Sequence, residues 1–299
     1  MVEAPYGLAM RVLTRILVLL VLCLLPAEAL ALPPVWVVRG HDSTITLFGS
    51  VHLLPPGVDW RPPQLRQAMA EADEVWFEAP MDEAGLSAAS DAALAHAFLP
   101  EGKRLSSLLS PAGRERLART AALFGVPTEQ FERLQPWYAE LMIEGAIFRK
   151  LGLQGADGVE QQLWGGLSPM ARRVTLETPA EQIELFSGAP LEEQAASLEQ
   201  TLKDVSHARR DYDVLLKAWL AGDVRTLDHE VVGPLRQSSP GLYQRVVARR
   251  NARWVKAIET RMNGGSGHTV IVVGMGHLVG RDGVPAQLRA AGYEVDGPR

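Results

Sequence analysis

Two histidines of this chain lie in the same short sequence pattern, with a glycine three positions before each histidine. Gly49 precedes His52, and Gly274 precedes His277. A glycine there lets the chain turn sharply at the end of a strand, with the backbone close to a site. Imidazole nitrogens can bind a divalent transition metal or transfer protons. We therefore take His52 and His277 as candidate metal ligands and catalytic residues.

Two glutamates follow short apolar segments in a similar way. Glu78 comes after the segment 74–77, and Glu177 comes after the segment 173–176. Carboxylate oxygens complete metal sites that imidazole nitrogens begin. A metal bound by His52, Glu78 and His277 would acidify water, and Glu177 would act as a further ligand or as the base that takes the proton. This set of residues predicts hydrolysis without a nucleophilic side chain.

Each of these residues also has a simpler explanation when it is taken alone. A single histidine after a buried strand is more often a hydrogen-bonded structural residue. Glu177 precedes Thr178 and Pro179, where an acid near a helix start is common. The repeated glycine-to-histidine spacing is what favours a functional site. The sequence contains neither a Gly-x-Ser-x-Gly nor a His-Glu-x-x-His motif, so it predicts neither of those two hydrolase types.

The pattern of strands and helices predicts an α/β fold that brings these residues together. Strands are expected at 35–39, 44–48, 74–77, 173–176 and 268–273, with long helical stretches at 87–152 and 179–262. A central mixed sheet flanked by helices, with a large helical insertion, accounts for this order. Because ligands bind beyond the carboxyl ends of strands in such sheets, we expect the four candidate residues to converge there.

The first 31 residues have the layout of a signal peptide. Arg11 and Arg15 precede the apolar segment 16–25, and small residues follow up to Ala31. The apolar segment is too short for a lasting membrane anchor. Translation could start at Met1 or at Met10. We expect a periplasmic or secreted domain of residues 32–299 without a membrane anchor after cleavage.

Composition excludes two further classes of function. The only cysteine, Cys23, lies in the expected signal peptide, so the mature chain has no thiol nucleophile and no disulfide. The formal net charge is -5, and no basic field of the kind that binds nucleic acid is present. The expected partner is therefore a peptide or another small substrate, and not nucleic acid.

Five segments, in this order, resemble the motifs of the TraB/GumN family. They are LFGSVHLLP at 47–55, Glu78, LETPAEQ at 176–182, RNARW at 250–254 and VGMGHLVG at 273–280. The resemblance runs from about Val35 to about Val295, which is almost the whole expected mature chain. The paired Gly-x-x-His segments with LETPAEQ between them are its specific part.

This resemblance implies a fold, an activity and a set of site residues. The family is similar to the Tiki proteases and, more distantly, to erythromycin esterase-like and ChaN-like proteins. The likeness implies a metal-dependent peptidase that uses manganese or cobalt, with zinc a further option from the ligand types. It makes His52 and His277 the paired site histidines and Glu78 the strand-end acid, with Glu177 in the second acidic motif. Glu160 stands where relatives often carry Asp.

Two points about binding remain open from the sequence. Arg250 and Asn251, within a charged helical stretch, would bind a substrate carbonyl or carboxylate if they turned inward. The alternative to an enzyme is a non-catalytic binder of a peptide, iron or haem in the same crevice. A third option is a structural partner in polysaccharide or conjugation machinery.

Overall fold

A six-stranded mixed sheet forms the centre of residues 32–299, the part of the chain that the computed structural model describes. Its strands are β1 (Val35–Arg39), β2 (Ser43–Ser50), β3 (Glu74–Phe77), β4 (Arg172–Thr175), β5 (Gly267–Gly274) and β6 (Glu294–Asp296). Their order across the sheet is β4-β3-β5-β2-β1-β6. The mixed α/β architecture predicted from the sequence is therefore confirmed.

Four neighbouring strands of this sheet are parallel, and this fixes where the site lies. β2 and β3 both run parallel to β5, and β4 runs parallel to β3. Ser50 and Gly274 are direct partners at the ends of β2 and β5. β5 is an unbroken buried apolar run, as expected for a central strand covered on both faces. The segments that follow these four strands consequently leave the sheet at one edge.

The remaining two strands extend the sheet on the side of β2. β1 and β2, which the sequence predicts as two successive strands, form a hairpin, with β1 antiparallel to β2 and to β6. The hairpin turn closes through a hydrogen bond from the Gly40 amide to the Ser43 carbonyl at 2.9 Å. The predicted end of the fourth strand shifts by one residue, because β4 ends at Thr175 and Leu176 already lies in the turn that leads to Glu177.

Fourteen α-helices are described around this sheet. They are α1 (Pro63–Glu71), α2 (Glu83–Ala95), α3 (Leu105–Leu108), α4 (Pro111–Leu123), α5 (Pro136–Lys150), α6 (Val159–Gly165), α7 (Pro179–Ser187), α8 (Leu191–Asp204), α9 (Ala208–Leu220), α10 (Val224–Leu227), α11 (Gly233–Ser238), α12 (Pro240–Tyr243), α13 (Arg249–Gly264) and α14 (Val284–Ala290). Several of them begin at a proline, which suits the first helical position because its missing N–H would be unpaired there anyway.

The predicted helical insertion has an apolar core of its own. Its residues come from the helical region between β3 and β4 and from α8. Ile143 of α5 and Leu198 of α8 are almost fully buried in this core. The main core instead packs on the sheet and includes Trp36, Phe48 and Trp219. The insertion therefore forms a helical layer that packs mainly on itself.

The segment before α13 contains two π-helical turns, at Asp228–Val232 and Gln244–Ala248. Such turns widen a helix locally and are often found near functional sites. The second turn leads directly into α13, whose first residues include the buried Arg250 and Asn251.

No described helix has the length and apolar character needed to cross a membrane. The predicted signal peptide, residues 1–31, lies outside the described part of the chain.

Candidate functional site

The predicted histidines and glutamates meet at the carboxyl edge of the four parallel strands. His277 Nε2 lies 3.8 Å from Glu78 Oε1. The same Glu78 oxygen accepts a hydrogen bond from the Gly274 amide at 2.6 Å. A Cβ placed on Gly274 would lie 3.2 Å from Glu78 Oε1, 3.7 Å from His277 Cδ2 and 3.9 Å from His52 Nε2. Glu78, His52 and His277 therefore surround the space beside Gly274 that a side chain at this position would fill.

His277 is held by Asn251 in a defined orientation. Its Nδ1 lies 2.6 Å from Asn251 Oδ1. Asn251 Nδ2 donates to the carbonyls of His277, at 3.2 Å, and Asp282, at 2.7 Å. Since the amide nitrogen already faces two carbonyls, the amide oxygen faces Nδ1, and Nδ1 must carry the ring hydrogen. The lone pair of His277 therefore lies on Nε2, the atom nearest Glu78.

Burial keeps the His277 ring neutral. The side chain is 8% exposed and packs against Trp254, with ring centroids 4.5 Å apart. Burial lowers the pKa of His277 to about 3, although the Glu78 carboxylate acts in the opposite direction. At neutral pH the ring is therefore an uncharged donor of a lone pair, the form in which histidine binds metals.

This neutral burial predicts a pH-dependent loss of stability. The unfolded chain binds a proton at His277 below about pH 6.5, whereas the folded chain does so only near pH 3. The contribution of His277 to the free energy of unfolding is therefore fully present above about pH 6.5 and falls as the pH is lowered toward 3. Urea unfolding at pH 7 and pH 5.5 should show this loss to be about 1 kcal/mol smaller in His277→Asn than in the unchanged protein. An equal loss in both proteins would show that His277 is not buried as a neutral ring.

His52 is oriented by the buried carboxylate of Glu160, a residue that the sequence alone does not place in the site. Its Nδ1 lies 2.9 Å from Glu160 Oε1, and Ser50 Oγ donates to the same oxygen at 2.5 Å. Glu160 is 6% exposed whereas the His52 side chain is 73% exposed. The carboxylate raises the pKa of His52 through its charge and its hydrogen bond. With its pKa raised to about 9, the His52 ring is protonated at neutral pH. Its Nε2 lies on the side of Gly274, where a metal ion would bind in place of the Nε2 hydrogen.

Glu160 reaches His52 because α6 begins beside the loop after β2. The Val159 amide donates to the Val51 carbonyl at 3.1 Å. A Cβ on Gly158 would lie only 2.2 Å from the His52 carbonyl oxygen, so glycine is needed for this close approach. From the sequence, Glu160 is simply an acid in the first turn of a helix, which is a common arrangement. Only the resemblance to relatives with Asp marked this position.

Arg250 joins the two strand-end glutamates and His277. Its Nε and Nη2 donate to Glu177 at 2.9 and 2.7 Å. Nη2 also donates to Glu78 Oε2 at 2.5 Å, and Nη1 donates to His277 Nε2 at 2.8 Å. The guanidinium group is therefore the central cation of the site.

The contacts of Glu177 and Asn251 bear on the roles predicted for them. Glu177 is 1% exposed and its oxygens accept hydrogen bonds from Arg250 and Arg253. This arrangement favours a role in positioning Arg250 over one as ligand or base. Asn251 is fully buried and bonded to His277, which favours a positioning role over substrate contact. Arg250 does turn inward, as the substrate-binding hypothesis requires.

Glu78 is the carboxylate that faces the centre of the cluster. Burial acts to raise its pKa, but His277, which is protonated only at the low pH where Glu78 titrates, and the positive charges of Arg250 and His52 outweigh burial and lower the pKa of Glu78 to about 2. Gln182 Nε2 also contacts Glu78 Oε2 at 3.3 Å. Glu78 is thus ionised at neutral pH and can bind a cation.

The site fits a divalent ion in its donor types, with one condition. Both histidines present Nε2 while a partner holds Nδ1, as metal-binding histidines usually do. Two ligands of one ion lie no more than about 4 Å apart, and the 3.8 Å between His277 Nε2 and Glu78 Oε1 meets this limit. Arg250, however, occupies the Nε2 lone pair of His277. Within residues 32–299 no three His, Cys, Asp or Glu side chains are already arranged around one metal position. A metal ion at this position would require Arg250 to release His277 Nε2.

Comparisons with known proteins place the chain in a family. No curated protein and no solved structure matches it. The model of the TraB/PrgY/gumN family matches residues 34–297, which include every residue of the site described above. The chain therefore belongs to the TraB/PrgY/gumN family.

Proposed function

We propose that this protein is a metal-dependent hydrolase, with a peptide as its substrate, that acts in the periplasm or after secretion. One observation carries the proposal: Glu78 Oε1, His277 and His52 Nε2 surround Gly274, and each histidine has its other nitrogen fixed by Glu160 or Asn251. Two oriented imidazoles beside an ionised carboxylate are suited to holding manganese, cobalt or zinc.

The residues of the chain divide the work of such a reaction. His52, His277 and Glu78 would hold the ion, which when bound would acidify a water molecule and polarise the substrate carbonyl. Glu160 and Asn251 keep the two rings in place. Glu177 anchors Arg250 on the side away from His277.

Arg250 has a second part in this proposal, in stabilising developing charge. Its guanidinium donates to Glu78 and His277 in the structure, so its N–H groups already point into the cluster. A substrate oxygen that becomes negative during hydrolysis would accept these charge-assisted hydrogen bonds. The guanidinium of Arg250 would in this way stabilise the negative charge that develops on the substrate. The reaction would then need no nucleophilic side chain.

A cleavage assay tests this function. The purified protein is incubated with a peptide library in the presence of Mn²⁺, Co²⁺ or Zn²⁺, alongside His52→Ala and His277→Ala. His41→Ala is the control, because its side chain is 95% exposed and its partner, Asp42, is also exposed. We expect metal-stimulated cleavage that falls at least about 100-fold in the two site variants and is unchanged in the control.

Binding without turnover would point to the alternative function. If peptides or haem raise the melting temperature and no cleavage occurs with any of the three metals, the protein is a binder and the hydrolase proposal is wrong. Cleavage that persists in both site variants would also contradict the proposal, since the activity would then not belong to this cluster.

A further inference from the structure

A pocket of about 170 Å³ lies close to the cluster formed by His52, Glu78 and His277. Two helical segments link the two places. Gln182 contacts Glu78, and Phe186, four residues later in α7, lines the pocket. Arg245, five residues before Arg250, also lines it and donates to the Leu185 carbonyl at 3.4 Å. Because one helical turn rises about 5.4 Å, Phe186 and Arg245 lie within about one and a half helical turns of Gln182 and Arg250, the residues that contact Glu78.

The walls of the pocket are mainly apolar and the space suits one long side chain. Trp137, Phe186, Ala189, Pro240 and Leu242 contribute to the lining. Phe186 is 43% exposed. A dry cavity of about 150 Å³ is enough to hold benzene, so the pocket has room for a hydrocarbon chain of four or five carbons.

One carboxylate in the pocket lining, that of Glu140, has no cationic partner among residues 32–299. Arg245 forms an ion pair with Glu193. Glu140 Oε1 accepts hydrogen bonds from Ser197 at 3.0 Å and Thr201 at 2.6 Å, and among residues 32–299 no Lys, Arg or His pairs with it. Burial raises the pKa of Glu140, as expected for a carboxylate that lacks a counter-charge.

Glu140 and the ion pair of Arg245 with Glu193 occupy different parts of the pocket lining. Glu193, near the start of α8, pairs with Arg245, whereas the residues that bond Glu140 lie one and two turns further along α8. A side chain in this pocket therefore meets apolar walls and a carboxylate that lies apart from the cation of Arg245. Lysine and arginine side chains have this composition, an apolar stem with a charged end.

We propose that this pocket is a substrate subsite that binds a lysine or arginine side chain, with the stem against Trp137 and Phe186 and the cationic end at Glu140. The inference rests on the proposed function, since the side chain belongs to the substrate of the neighbouring cluster. It adds the substrate class, a peptide with a basic residue close to the bond that is hydrolysed.

A binding experiment without turnover tests the subsite. N-acetyl-lysine amide and N-acetyl-norleucine amide, which lacks the charge, are titrated into the protein without added metal, and binding is followed by the Trp137 signal in NMR spectra. We expect lysine to bind about tenfold more tightly, a difference of about 1.4 kcal/mol. In Glu140→Gln the two ligands should bind equally, because the amide keeps the shape but loses the charge.

A second pair of variants covers the case in which Glu140→Gln does not fold. Ala196 is exposed at the rim of the pocket, so Ala196→Trp should fold and block both ligands. Lys203→Trp is the matched control, an exposed position on the same helix that does not line the pocket. Equal binding of the two ligands by the unchanged protein, or binding unaffected by Ala196→Trp, would overturn the subsite. These experiments measure binding and not cleavage. Their outcome therefore does not depend on the outcome of the hydrolase assay.

Discussion

Replacing Arg250 with methionine should lower the free energy of unfolding by about 3–5 kcal/mol. The arginine side chain is 8% exposed and pairs with Glu78 and Glu177, which are 12% and 1% exposed. Methionine fills similar space but leaves buried carboxylates without their central cation, which is far more costly than the loss of an exposed ion pair. Urea unfolding at pH 7 measures the change.

Arg253 provides the matched control for this prediction. It pairs with the same Glu177 oxygen that Arg250 contacts, but its side chain is 54% exposed. Water already screens that charge, so Arg253→Met should cost no more than about 1 kcal/mol. Similar losses in the two variants would show that burial around Arg250 does not set the strength of the pair, and the described arrangement of the site would be wrong.

Replacing Gly158 with alanine should impair both stability and activity. The new Cβ would lie 2.2 Å from the His52 carbonyl oxygen and 2.9 Å from its carbonyl carbon. These are backbone atoms, so the loop that carries His52 must move away from α6. We expect a loss of about 1–3 kcal/mol in the free energy of unfolding. A displacement of His52 by about 1 Å would also reduce turnover about 100-fold.

Gly155→Ala is the control for Gly158→Ala. It separates the effect of replacing a glycine with alanine from the effect of the close contact with the His52 carbonyl group. Gly155 lies three residues earlier in the same segment, and a Cβ there meets nothing within 4 Å. Gly155→Ala should therefore leave unfolding and turnover nearly unchanged. Unimpaired turnover in Gly158→Ala, with the fold retained, would show that the approach of α6 does not position His52.

The sequence predicts the fold well because local patterns determine most of it. The buried apolar run of β5 and the β1–β2 hairpin follow from residue types within a few positions of each other. The convergence of His52, Glu78, Glu177 and His277 follows from one further rule, that parallel strands end at the same edge of a sheet. Pairing of β2, β3 and β4 around β5 satisfies that rule.

Side-chain pairing inside the site could not be predicted in the same way. Glu160 and Arg250 lie far along the chain from their partners His52 and Glu78. No local periodicity distinguishes a helix-start glutamate that faces solvent from one that orients a histidine. The sequence leaves open whether Arg250 turns inward. Its position between two glutamates and a histidine is a property of the packed α13 and the π-helical turn before it.

The hydrogen bonds of Arg250 provide a further test of the metal hypothesis. In the structure the guanidinium balances Glu78 and Glu177 and donates to His277 Nε2. An ion bound by His277 Nε2 and Glu78 Oε1 would replace the hydrogen bond from Arg250 to His277, while the bonds of Arg250 to Glu78 Oε2 and to Glu177 could remain. Metal binding and the hydrogen bond from Arg250 to His277 are therefore expected to be mutually exclusive.

Binding of Mn²⁺ to the protein, measured by calorimetry without any substrate, tests the proposed metal centre directly. The protein should bind one ion per chain, and a variant with both His52→Ala and His277→Ala should bind none, while His41→Ala binds as the unchanged protein does. If the double variant takes up Mn²⁺ with the same affinity and stoichiometry, the two imidazoles do not share an ion, and the proposed metal centre does not exist.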